Sequence, residues 1–115
     1  MTGSADIAYL IIEPDGDIKV EHGALGVEQA QDMLDDDFEA LQPSNPPPFV
    51  MLVGENGKSR GLNANWGATR VLSSILRPDD FIVGRAIVTG PPNPDGELTP
   101  VDVPIEEAIR RRVER

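Results

Sequence analysis

Hydrophobic positions along this chain form two kinds of pattern, short apolar runs and stripes with helical spacing. The apolar runs are typical of strands inside a sheet, because neither of their alternating faces is polar. They lie at residues 7–12 and 49–53, and residues 81–89, which include Arg85, form the longest further strand candidate. The first run is followed by Glu13-Pro14-Asp15-Gly16, which is turn chemistry, so residues 17–21 are expected to return as the second strand of a hairpin. Residues 22–26 are expected to break that strand.

Three stripes with helical spacing predict helices. The first is formed by Val27, Ala30, Met33 and Leu34. The second helix is predicted over residues 66–76, capped by Asn65 and ended by Pro78. The third is predicted over residues 104–115, with a buried stripe of Ile105, Ala108, Ile109 and Val113. Glutamates begin this last helix and arginines end it, which suits the helix dipole.

The order of these elements favours an α+β fold. Residues 38–41 are expected to begin a second hairpin, and Asn56-Gly57 predicts a further type I′ hairpin. The proline-rich segments 43–48 and 91–100 are predicted to be loops, because proline has no backbone donor. We therefore expect one domain over residues 1–115, with residues 1–5 flexible. Its largely antiparallel sheet would be built from hairpins, with two or three short helices packed on one face.

Several turn and strand segments resemble the family called domain of unknown function 3846. They are residues 12–16 (Ile-Glu-Pro-Asp-Gly), 55–58 with 61–62, 65–69 (Asn-Trp-Gly-Ala-Thr) and 82–86. The similarity spans roughly residues 6–90 and departs from the family in the loop at 43–48 and from Pro91 onward. Members occur mostly in bacteriophages, prophages and plasmids, so the resemblance implies a mobile-element protein of the bacterial cytoplasm. It implies no catalytic or binding residues.

Negative charge is concentrated in the first half of the chain. Residues 1–57 contain twelve acidic residues against one basic residue, Lys19, and the whole chain has a formal charge of −10. Such a surface repels nucleic acid and anionic membranes and attracts basic proteins. We therefore predict a non-enzymatic interaction module that binds a basic host protein and binds neither nucleic acid nor a membrane. The predicted contact residues are Glu28, Asp32, Asp35, Asp36 and Asp37.

The basic C-terminal cluster Arg110-Arg111-Arg112 is expected to pair with the acidic half of its own chain or of a second copy. A homodimer therefore stays open as an alternative.

Catalytic and metal-binding groups are scarce. The chain has no cysteine and one histidine, His22, which we expect in a surface loop. Ser73 and Ser74 lie on a predicted helix without a nucleophile elbow. Asp15-Gly16-Asp17 has only part of the spacing of a calcium loop, so a solvated turn is the simpler interpretation. We predict no catalytic residue, no metal and no cofactor.

A second hypothesis is a small-molecule or nucleotide-binding module. Asn63, Asn65, Trp66 and Arg85 are its candidate ligand-binding residues, because Trp66 would stand at a helix start beside free backbone donors. The competing interpretation, which we favour, is that Trp66 fills the core and Asn65 is a helix cap.

Overall fold

The computed structural model describes residues 6–44 and 46–114, so the predicted flexible segment 1–5 lies outside the described residues. In chain order the elements are β1 (Asp6–Ile12), β2 (Ile18–Ala24), α1 (Val27–Leu34), β3 (Phe38–Leu41), β4 (Val50–Gly54), α2 (Trp66–Val71), β5 (Ala86–Thr89) and α3 (Val103–Val113). The predicted loops at 43–48 and 91–100 contain no helix or strand among their described residues.

The strands form one antiparallel sheet in the order β2-β1-β5-β4-β3. Its hairpins are β1–β2 and β3–β4, and β5 inserts between them as the central strand. The predicted α+β fold with a largely antiparallel sheet is therefore confirmed. Strands β2 and β3 are the two edges of the sheet.

Helices cover both faces of the sheet, so the expectation of helices on one face is wrong. One apolar cluster joins Leu10 and Ile12 of β1 to α2 and α3. A second cluster joins Tyr9 and Ile11 of the same strand to α1. The reason is the strand alternation itself: β1 is apolar at every position from 9 to 12, so each of its faces has to be buried.

Helices α1 and α2 begin at their predicted residues and α3 begins one residue earlier than predicted, but not all of the predicted contacts form. In α1, Ala30 and Leu34 are buried, whereas Val27 is 61% exposed although the stripe included it. Helix α2 ends at Val71, five residues before its predicted end. The chain continues as turns, in which the Ser73 and Ile75 amides donate to the third preceding carbonyl and the Leu76 amide donates to the fourth. Helix α3 begins after Asp102, whose carboxylate caps the Ile105 amide.

The hairpin predicted at Asn56-Gly57 is absent, because β4 already has a neighbour on each edge. A strand returning after β4 would find both edges occupied, by β3 and by β5. Residues 55–61 instead form successive turns, in which the Arg60 amide donates to the Asn56 carbonyl.

Two further strand boundaries differ from the prediction. Strand β2 continues through His22 and Gly23 to Ala24, because all of these residues pair with β1. The strand predicted over 81–89 is regular only from Ala86. Before it, Gly84 adopts a left-handed backbone with φ of 74°, and the side chain of Leu62 fills the space where a Cβ would stand.

Candidate functional site

The acidic run after α1 is partly occupied by contacts within the protein. The side chain of Asp36 is only 7% exposed, and its two oxygens accept from the backbone N and the Nδ2 of Asn56, both at 2.8 Å. These hydrogen bonds hold the pKa of Asp36 below its usual value. Arg60 lies 3.0 Å from a carboxylate oxygen of Asp35 and 3.8 Å from Asp36. Two of the predicted partner-binding carboxylates therefore have a base beside them.

The other predicted partner-binding residues face solvent. Glu28 and Asp32 lie one helical turn apart on α1, on the side opposite Ala30 and Leu34, and both are exposed. Asp37 is also exposed, and its carboxylate accepts a hydrogen bond from the Gln31 amide. Within the described part of the chain, no basic side chain forms a salt bridge with any of these three carboxylates.

Arg85, a residue of the alternative ligand site, is engaged with the protein. Its guanidinium donates two hydrogen bonds of 3.0 Å to Glu13 and one of 3.2 Å to the Met33 carbonyl at the end of α1. The Arg85 hydrogen bond is the main cause that lowers the pKa of Glu13. Arg85 therefore joins the β1–β2 hairpin to α1.

Asn65 is fully buried and every polar atom of its side chain is used. Its Nδ2 donates to the carbonyls of Ile12 and Gly84, at 2.9 and 2.8 Å, while Oδ1 accepts from the Ala68 amide at 3.0 Å. The cap interpretation of Asn65 is thus right, and the residue also connects β1 to the segment before β5. A fully buried amide whose two N–H donors and whose oxygen are all bonded to the protein is not placed to bind a ligand.

Trp66 stands on the surface, so the expectation that it fills the core is wrong. Its side chain is 54% exposed, and its ring lies 5.5 Å from the ring of Phe81, between centroids. Lys58 lies on Phe81 as well, with Nζ 4.7 Å from the ring centroid, and forms a salt bridge with Asp80. Asn63 is exposed nearby in sequence. Of the four residues of the alternative site, Asn65 and Arg85 are thus engaged in contacts within the protein, whereas Asn63 and Trp66 are exposed.

Two arginines of the C-terminal cluster pair within their own helix, and none of the three in residues 110–112 forms a salt bridge with the acidic half of the described chain. Arg110 and Arg111 lie 2.9 and 3.8 Å from Glu106 and Glu107, at i,i+4 spacing. Arg112 stacks over the Phe49 ring at 5.7 Å. Among the described residues, the bases that form salt bridges with the acidic half are Arg60, Arg85 and Lys19.

The remaining candidates from the sequence have simple surroundings. His22 is exposed on β2, a strand position and not a loop. Asp15 accepts a hydrogen bond from the Asp17 amide, which closes the turn around Gly16. Among residues 6–44 and 46–114, no group of three or more His, Cys, Asp or Glu side chains is placed to hold a metal ion. None of the helices described is both long and apolar enough to cross a membrane.

The feature that the sequence did not predict is a cleft on each face of edge strand β3. The cleft on the α1 face has a volume of about 640 Å³ and includes Phe38 and Ala40. The cleft on the opposite face, about 360 Å³, includes Glu39 and Leu41. The alternation of side chains along residues 38–41 was visible in the sequence, but nothing in it showed that this strand would be an edge.

The comparison with known families matches almost the whole chain. Residues 7–113 fit the sequence model of the family described as "Domain of unknown function (DUF3846)". The chain therefore belongs to the DUF3846 family. The match includes the tail after Pro91 and helix α3, which had not contributed to the resemblance seen in the sequence. No curated protein and no solved structure matches this chain.

Proposed function

We propose that this protein is a non-enzymatic interaction module that binds a basic protein of the bacterial host cytoplasm through its acidic N-terminal half. The observation that carries the proposal is the state of the twelve carboxylates before Asn56. Three of them, Glu13, Asp35 and Asp36, have a base within 4 Å in the described structure. The other nine are exposed, and no basic side chain of the described residues lies within salt-bridge distance of them.

The structure narrows the contact surface that this function would use. Asp36 positions the turn at Asn56 and its side chain is only 7% exposed, so it is not offered to a partner. The side chain of Asp35 is 90% exposed, but Arg60 beside it offsets part of its charge. Glu28 and Asp32 on α1, together with Asp37, are exposed and form no salt bridge with a base of the described residues, so they supply the main uncompensated charge for a cationic surface. Their attraction for such a surface acts mainly on the association rate and is screened by salt.

Affinity capture from a bacterial lysate tests this function, with salt as the variable. The wild-type chain is expected to retain one or more basic proteins at about 0.05 M NaCl and to release them at about 0.5 M, where the Debye length is only a few ångströms. Each retained protein is then purified and titrated against the chain alone, so that the affinity is measured without the lysate.

Two charge-matched triple variants locate the contact. Glu28→Gln with Asp32→Asn and Asp37→Asn is expected to weaken binding of the purified partner by about tenfold or more. The control removes three acids of the β1–β2 hairpin, by the substitutions Asp15→Asn, Asp17→Asn and Glu21→Gln, and is expected to bind within about threefold of the wild type. Equal binding by all three proteins, or binding that is indifferent to salt, contradicts the proposal.

One observation favours a second function, a binding module for a planar small molecule such as a nucleotide base. The exposed ring of Trp66 lies against Phe81 and leaves about half of its surface free to stack. A thermal-shift series with nucleotides tests it, since a ligand bound only by the folded state raises the unfolding midpoint. The shift has to disappear in Trp66→Ala for this function to stand.

A further inference from the structure

Edge strand β3 presents free backbone groups at two positions. The Glu55 amide donates to the Asp37 carbonyl, so Asp37 and Glu55 form a hydrogen-bonded pair that extends the β3–β4 register by one position. Because such pairs alternate with non-bonded pairs in antiparallel sheets, Glu39 also bonds to β4, whereas Phe38 and Ala40 point their N–H and C=O groups away from it. In the described structure, neither residue bonds to another element through these groups.

Beside this edge, the cleft on the α1 face is mainly apolar. Its walls include Val27 and Ala30 of α1, Phe38 and Ala40 of β3, and Leu98. Val27 is the residue that the helical stripe placed in the core but that the structure leaves 61% exposed. An exposed valine over an apolar cleft, next to unpaired strand edges, is a surface that can accept apolar side chains of an added strand.

The cleft on the opposite face of β3 is negatively charged at its rim. Glu39 and Glu55 line it, both are exposed, and no base of the described residues forms a salt bridge with either of them. The lysine of this cleft, Lys58, is already paired with Asp80. A side chain entering here from a strand beside β3 would meet two uncompensated carboxylates.

We propose that β3 binds an extended segment of a partner protein, which adds to the sheet as a sixth strand and alternates apolar with basic residues. The backbone groups of Phe38 and Ala40 pair with this segment. Its apolar side chains enter the cleft under Val27, and its basic side chains lie on the other face near Glu39 and Glu55. This inference rests on the proposed function, because it specifies how the basic partner is bound.

A second copy of this chain fits the edge less well than a basic segment does. If two β3 strands pair about a two-fold axis through their free edges, Phe38 of one copy lies opposite Ala40 of the other. Glu39 then lies directly opposite Glu39 of the second copy on the same face. Like charges in that position are destabilising, and each chain also carries a net charge of −10. Charge complementarity therefore selects a cationic occupant.

Synthetic peptides supply the test, with the full-length protein as the receptor. The probe is a peptide of about six residues in which lysine alternates with valine, and the control has the same composition with the lysines in one block. The alternating peptide is expected to bind about tenfold more tightly, because only that order matches both clefts at once. On binding, the amide protons of Phe38 and Ala40 are expected to exchange more slowly with solvent.

Matched proline variants identify the edge. Ala40→Pro removes an outward N–H from β3 and leaves the bonds to β4 intact, a position at which edge strands tolerate proline. Val20→Pro is the control on β2. Because the Glu13 amide bonds to the Asp17 carbonyl, even-numbered residues of β2 also point outward. Ala40→Pro is expected to lower the affinity for the alternating peptide by about tenfold, whereas Val20→Pro is expected to lower it by less than about twofold. Circular dichroism and unfolding midpoints confirm that both variants fold.

A further pair of variants tests the role of charge, by replacing Glu39 and Glu55 at the rim of the second cleft. Glu39→Gln with Glu55→Gln is expected to abolish the preference for the alternating over the block peptide. The control pair, Asp17→Asn with Glu21→Gln, removes the same charge at the other edge of the sheet and is expected to preserve that preference.

The outcomes separate this inference from the proposed function. Equal affinity for the two peptides, or peptide binding that Ala40→Pro does not change, overturns the strand addition. If a basic partner is still captured in a salt-sensitive way, the proposed function stands without it. The strand addition by a basic segment would also be overturned if sedimentation showed that the wild type is a dimer and that Ala40→Pro is a monomer. A second copy of the chain would then be the occupant of the β3 edge. Failure of lysate capture, with the peptide results as expected, contradicts the proposed function alone.

Discussion

Arg85 donates from Nε and Nη2 to the two carboxylate oxygens of Glu13, a residue that lies 72 positions earlier in the chain. The third hydrogen bond of the guanidinium reaches the Met33 carbonyl in the last turn of α1. A bidentate pair of this kind has a fixed geometry that lysine cannot reproduce. The pair therefore fixes the position of α1 relative to the β1–β2 hairpin.

Replacing Arg85 is expected to destabilise the fold measurably. Arg85→Met should lower the free energy of unfolding by about 1 kcal/mol, a modest figure because the Arg85 side chain is 40% exposed. Arg85→Lys should recover less than half of that loss. Urea unfolding measures both. Arg111→Met is the control, since Arg111 pairs with Glu107 at 3.8 Å on an open surface and should change stability little. An Arg85→Met protein as stable as the wild type would contradict this role.

The carboxylate of Asp36 predicts a defined pH dependence of stability. Hydrogen bonds from Asn56 lower its pKa in the folded state, so the unfolded chain takes up the proton first as the solution is acidified. The contribution of Asp36 is therefore fully present above the unfolded pKa of about 3.9 and is lost as the pH falls through the lower folded value.

The measurement compares wild type with Asp36→Asn. The difference in their free energies of unfolding should be constant from about pH 5 to about pH 7 and should narrow below about pH 4. Asn56→Ala removes one of the two hydrogen-bond donors to Asp36. The difference in free energy of unfolding between wild type and Asn56→Ala should therefore narrow less on acidification than the difference between wild type and Asp36→Asn. A difference that grows on acidification would show that the sign of the shift is wrong.

The sequence predicted the strands and helices well where hydrophobic periodicity alone decides them. The strand at 7–12, the hairpin partner at 38–41 and the stripe of Ile105, Ile109 and Val113 all appear in the structure. What the sequence could not supply was strand order. The Asn56-Gly57 signal is local, whereas the occupation of both edges of β4 depends on β5, which lies more than thirty residues later.

The candidate site was harder to predict than the fold, because side-chain partners come from distant parts of the chain. Asp36 and Asp37 are neighbours in an acidic run, yet one is enclosed by Asn56 and the other is exposed. Arg85 was a candidate ligand-binding residue until the tertiary structure placed it on Glu13. Val27 satisfied the helical stripe, and only the packing of the short helix α1 shows that it lies beyond the buried face.

Asn65 is expected to be among the least replaceable polar residues of this chain. Asn65→Ala removes the α2 cap and leaves the buried carbonyls of Ile12 and Gly84 without this donor, a loss of about 3 kcal/mol in the free energy of unfolding. Asn65→Asp keeps the cap acceptor but brings a carboxylate toward two carbonyls, so it should also destabilise. Asn63→Ala, an exposed control two residues away, should cost less than about 0.5 kcal/mol. Urea unfolding of the three variants ranks them, and equal stability of Asn65→Ala and Asn63→Ala would contradict the assignment.

Trp66 gives a spectroscopic prediction, because it is the single tryptophan of the chain and its side chain is 54% exposed. Its emission should resemble that of tryptophan in water, and acrylamide should quench it efficiently. Trp66→Ala should lower the free energy of unfolding by about 1 kcal/mol, because it removes a partly exposed contact with Phe81. Truncation of a fully buried aromatic ring would cost about 3–5 kcal/mol. Leu72→Ala, at a fully buried position after the same helix, is the matched core control and should cost about 2–5 kcal/mol. A blue-shifted, quencher-resistant emission would place the indole in the interior and would remove the stacking surface on which a nucleotide-binding function depends.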